Sequence, residues 1–79
     1  MKTLFASPEV EKLSETVVGI VEEAIAPDQP GRVKGMGTYW PARFYHSDCK
    51  ITLKPNDRVS IVAMCGITLL VVPVGLAGQ

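Results

Sequence analysis

The sequence predicts a mostly β protein: a small barrel of five short strands, preceded by one N-terminal amphipathic α-helix. Three observations predict it. After residue 30, β-branched and aromatic residues gather in short runs. Those runs are punctuated by Gly35, Gly37, the Lys54-Pro55-Asn56-Asp57 segment and Gly66. Before residue 26, apolar residues recur instead at steps of three and four. The 79 residues leave room for one compact unit, divided here into a helix with linker over 1–29 and a barrel over 30–79.

The helix is expected from about Ser7 to Ile25. Ser7 supplies an N-cap, and Pro8 suits the first helical position, where its missing N–H does no harm. Glu9 and Glu11 complement the helix dipole in the first turn. Val10, Leu13, Val17, Ile20 and Ala24 then form one apolar face with the spacing of a coiled-coil seam. That face either packs on the barrel or meets a partner helix, which includes a second copy of the chain. Ala26-Pro27-Asp28-Gln29-Pro30-Gly31 ends the helix.

Five strands are expected after it, at Arg32 to Thr38, Tyr39 to His46, Lys50 to Leu53, Arg58 to Cys65, and Ile67 to Val72. Gly35 and Gly37 read as bends of a strand crossing between the halves of a barrel. Pro41 suggests an edge or a bulge, and Lys54-Pro55-Asn56-Asp57 is a strong β-turn signal. Gly66 marks a hairpin. Short strands with tight turns suit a barrel of the OB type, in which closure removes exposed edges. No charged residue occurs from Val59 to the C-terminus. Its glycines, Pro73 and β-branched residues read as strands of a buried hairpin rather than as a membrane span.

Charge and chemistry narrow the function. Eight basic residues balance eight acidic ones, so no large positive excess favours nucleic acid. The front is acidic, with Glu9, Glu11, Glu15, Glu22 and Glu23, and the rear is basic. His46 is the single histidine, and Cys49 and Cys65 stand at no metal-binding spacing. They read as reduced, partly buried thiols of a cytoplasmic protein. No signal peptide is expected at Met1 to Ala6. No nucleophile elbow, paired base or phosphate-cradling loop is legible, so no enzyme, metal or cofactor is expected.

Recognition is expected on the aromatic strand. Alternation sends Trp40, Ala42 and Phe44 to the core and Tyr39, Arg43 and Tyr45 outward. Arg32 and Lys34 extend that candidate surface. An outward set of rings and cations fits a protein partner or, as the alternative, single-stranded nucleic acid.

Several segments together resemble the C-terminal soluble domain of the NfeD-like family. They are Gly31-Arg32-Val33, the run from Gly37 to Arg43, the run from Leu53 to Val59, and the run from Gly66 to Pro73. The resemblance covers about residues 30 to 73. It implies a five-stranded OB barrel acting as an accessory to stomatin- or flotillin-like membrane proteins in membrane protein quality control. The chain would then reach membranes only through such a partner. Longer members add transmembrane helices or a serine protease domain. This sequence is expected to have the acidic helix in place of the membrane region, and the resemblance assigns no catalytic residue to the barrel.

Overall fold

The computed structural model describes residues 9–74. Five strands close into a barrel in the order β1-β2-β3-β5-β4. They are β1 (Val10–Glu23), β2 (Gly31–Gly35), β3 (Thr38–Phe44), β4 (Arg58–Cys65) and β5 (Thr68–Pro73). Every pairing is antiparallel except that of β3 with β5. No helix among the described residues is long and apolar enough to cross a membrane.

The expected helix is a strand. β1 pairs with β4 through Val10 to Lys12 and Val17 to Ile20, and with β2 from Ile20 onward. The segment assigned to helix and linker therefore builds part of the barrel wall. The Val10-Leu13-Val17-Ile20-Ala24 face does not exist as a face. Leu13 and Val17 pack on the core, whereas Val10, Ile20 and Ala24 are exposed. The β-branched run Thr16-Val17-Val18, resumed at Ile20-Val21, alternates instead, with Val17, Gly19 and Val21 inward. Such residues lose rotamer freedom in a helix and fit a pleated surface, and two neighbouring strands complete their backbone bonds. The expected cap, Ser7-Pro8, lies outside the described residues.

Two further expectations change. The strand expected from Arg32 to Thr38 stops at Gly35, and a two-residue hairpin turn follows. Both of its central residues, Met36 (φ 50°) and Gly37 (φ 86°), are left-handed, as a type I′ turn requires. The expected strand Lys50 to Leu53 reduces to one bridge, in which Leu53 and Ile25 exchange backbone hydrogen bonds of 3.0 and 2.9 Å.

Turn chemistry elsewhere matches the residues present. At Lys54-Pro55-Asn56-Asp57, Asn56 takes φ 79° after the proline, and the Asp57 N–H donates to Lys54 O at 3.0 Å. Asp57 Oδ2 accepts from the Lys54 N–H at 2.8 Å. Val21 N–H donates to Asp57 O and Asn56 N–H donates to Val21 O, both at 2.8 Å, which ties this turn to β1. Gly66, at φ 63°, opens the tight β4–β5 hairpin between Cys65 and Thr68. Pro41 pairs with Arg32 on one side only, because β5 meets β3 from Ala42 onward.

The interior is aliphatic, with Val21, Ile25, Val33, Ala42, Leu53, Val59, Ile61, Leu69 and Val71 in one cluster. Trp40 and Phe44 pack against it from β3, as alternation predicts. The half-buried Trp40 donates its Nε1–H to Gly35 O at 2.9 Å, pinning the mouth of the β2–β3 hairpin. Trp40→Phe keeps most of the ring packing and leaves that carbonyl without its donor. The expected cost is about 1 kcal/mol, read as a drop of about 4–8 °C in melting temperature by circular dichroism. An unchanged melting point would show that the bond contributes nothing.

Candidate functional site

The outer face of β1, β2 and β3 is set by register. Ile20 stands opposite Lys34, and Lys34 opposite Tyr39, which places the three in one row across three strands. The Lys34 ammonium lies 5.8 Å from the centre of the Tyr39 ring, within cation–π range. Exposure is high for this face: Val18 is 61% exposed, Tyr39 51%, Met36 44% and Ile20 38%. Aliphatic and aromatic surface thus runs from β1 towards the β2–β3 turn.

Arg32 lies on the same side but is engaged. Its Nε donates to Glu22 Oε1 and its Nη2 to Glu23 Oε2, each at 2.6 Å. A slip of register between Val21 and Glu23 accompanies this arrangement. The hydrogen bond to Glu22, followed by the charges of Glu22 and Glu23, pushes the Arg32 guanidinium pKa upward. Arg32 is therefore a cation already matched by two carboxylates.

The five candidate residues do not form one cluster. Arg32, Lys34 and Tyr39 share the β2–β3 hairpin. Arg43, exposed on β3, pairs with Leu70 of β5. Tyr45 lies just past β3, its N–H donating to Val71 O at 2.8 Å. Its ring meets His46 edge to face, with centroids 4.9 Å apart. Lys12 of β1 comes to 5.7 Å from the same ring.

Sequence reasoning missed Val18, Met36 and Lys12 as surface partners, and it placed Ile20 on a helix. Alternation about Gly19, which sends Val18 and Ile20 to the same side, is the signal that would have found the first and the last. Met36 needs the turn to be located before its exposure can be read.

Among the described residues, no group of three or more His, Cys, Asp or Glu side chains is placed to hold a metal ion. Cys49 and Cys65 are half-buried thiols. Comparison with protein-family models, with curated proteins and with solved structures gives no match for this chain.

Proposed function

We propose that this chain is a non-catalytic protein-interaction module of the NfeD-like kind, an OB-type barrel whose outer β1–β2–β3 face docks on a protein. The partner class is a stomatin- or flotillin-like membrane scaffold, as the resemblance implies. Support for the OB type comes from the strand order β1-β2-β3-β5-β4, with its single parallel pair and its closure through β1 and β4. The observation that carries the function is the exposed set Val18, Ile20 and Tyr39 on one face. Exposed apolar side chains gathered on one face mark interaction sites, and aromatic residues are enriched where protein partners bind.

A protein is favoured over single-stranded nucleic acid because Arg32 is neutralised by Glu22 and Glu23. Lys34 remains as the cation beside Tyr39. A surface that tracks phosphates needs several uncompensated cations.

Affinity capture from native lysate, with membranes solubilised, tests the reading. The unaltered chain is expected to recover a membrane scaffold protein, and Ile20→Glu, an exposed change, is expected to lose it while the fold persists. Equal recovery by both would remove this face from the partner site. In a parallel measurement, labelled oligonucleotides are expected to show no anisotropy change even at low salt. Binding there that fades as salt rises would replace the protein reading with the nucleic-acid one.

A further inference from the structure

A second row of residues crosses the barrel wall on β1, β4, β5 and β3. Register places Lys12 beside Ala63, Ala63 beside Leu70, and Leu70 beside Arg43. This row crosses β1, β4, β5 and β3 with a cation at each end. Its two central residues, Ala63 and Leu70, are buried. A groove of about 410 Å³ is lined by Lys12 of this row, by the apolar Leu13, Val62 and Val72, and by Tyr45 and His46. A smaller groove of about 270 Å³ lies against Tyr45 and His46 as well, with Arg43 in its lining.

Two features give the surface a chemistry. The charged or ionisable groups lining the grooves are Lys12, Arg43, Tyr45 and His46, and no Asp or Glu among the described residues lines either one. This holds although β1 itself carries Glu11 and Glu15. The walls are also irregular. The β1–β4 register slips between Lys12 and Val17, and the β4–β5 register slips between Ile61 and Ala63. Residues 13–16 consequently have no residue-for-residue partner on β4 or β2. Such irregularities recur next to binding sites, where they re-aim side chains.

We propose that the two grooves, which share Tyr45 and His46, together bind an acidic peptide segment carrying aliphatic side chains. Its carboxylates meet Lys12 and Arg43, and its apolar side chains lie against Leu13, Val62 and Val72. Charge complementarity selects this occupant. A nucleic acid fits less well, because the Tyr45 ring is already occupied by Lys12 and His46 rather than open for base stacking. The site shares no residue with the β1–β2–β3 face, so the two proposals stand or fall separately.

The probe is a labelled, capped hexapeptide alternating glutamate and leucine, read by fluorescence anisotropy against the whole chain. Binding is expected, with a lysine–leucine counterpart weaker by at least about tenfold. Lys12→Glu should weaken the acidic peptide by at least about tenfold, whereas Lys54→Glu, in the distant turn, should leave it unchanged. Circular dichroism establishes that both variants fold. Ile20→Glu should bind this peptide normally, which separates failure here from failure of the other face. Absence of binding, equal binding of both peptides, an indifferent Lys12→Glu, or displacement by oligothymidylate would each overturn the proposal.

Discussion

Gly31→Ala is expected to destabilise the barrel by about 3 kcal/mol or more, at or beyond the upper end of overpacking effects. A β-carbon at Gly31 would lie 2.2 Å from Glu23 O, 2.2 Å from Ala24 O and 2.7 Å from Ala24 C. All three are backbone atoms, so no rotamer change relieves the contact. The chain has little freedom to move away. Ala26 and Gln29 exchange backbone hydrogen bonds of 2.9 and 3.0 Å within the connecting loop, and Arg32, the next residue, is held by Glu22 and Glu23. For a domain of this size each kcal/mol shifts the melting temperature by about 4–8 °C, so the variant should melt at least about 12 °C lower. Gly37→Ala is the control. Nothing lies within 4 Å of its β-carbon, and only φ +86° opposes it, at a cost of about 1–2 kcal/mol. A Gly31→Ala melting point within about 4 °C of the parent would show that the chain leaves β1 by another path.

The parts of this fold that were legible are those decided by local chemistry. Pro55 followed by Asn56, with Asp57 folding back on Lys54 N–H, specifies its turn within four residues. Gly66 specifies a hairpin in the same way, and the Trp40-x-Ala42 alternation assigns an inner face to β3. β1 was misread, because the steps of three and four among its apolar residues suit a helix, while the alternation of Val17, Gly19 and Val21 suits a strand over only part of its length. What decides is the pairing with β2 and β4, and β4 lies far along the chain. The Lys50–Leu53 stretch fails for the opposite reason, since its composition suits a strand and only Leu53 finds a partner.

The candidate surface divides along the same line. Lys34 and Tyr39 face each other across a tight hairpin, so their pairing follows from the turn once it is located. The neutralisation of Arg32 depends on carboxylates nine and ten residues away, across a slipped register. The approach of Lys12 to Tyr45 depends on β4 and β5 lying between β1 and β3. No local pattern reports either one. The distribution of charge along the sequence therefore does not report that one of its basic residues, Arg32, is matched by the acidic front.

Gly35→Ala offers a sharper test of how β1 and β2 come together. Its β-carbon would meet Ile61 Cδ1 at 2.8 Å, while its next contact, Gly19 Cα, is at 3.8 Å. Ile61 is fully buried, so its side chain has little room to swing. Alone, Gly35→Ala should cost about 1–3 kcal/mol as overpacking. Ile61→Val removes the offending methyl group and should cost about 0.5–1.5 kcal/mol by itself. Combined, the two should cost little more than Ile61→Val alone, a coupling of about 1–2 kcal/mol in a double-mutant cycle followed by urea unfolding. Gly19→Ala should not be rescued in the same way, because its nearest obstacle is Val33 Cγ1 at 2.7 Å. The small glycines are what let Ile61 fill the space beneath β1 and β2, whose outer sides carry Ile20 and Lys34. Gly35→Ala should accordingly weaken capture of the proposed scaffold partner, and Ile61→Val should restore it. Additive energies within about 0.5 kcal/mol would mean that Ile61 does not fill this space, and the link between core packing and the outer face would fail with it.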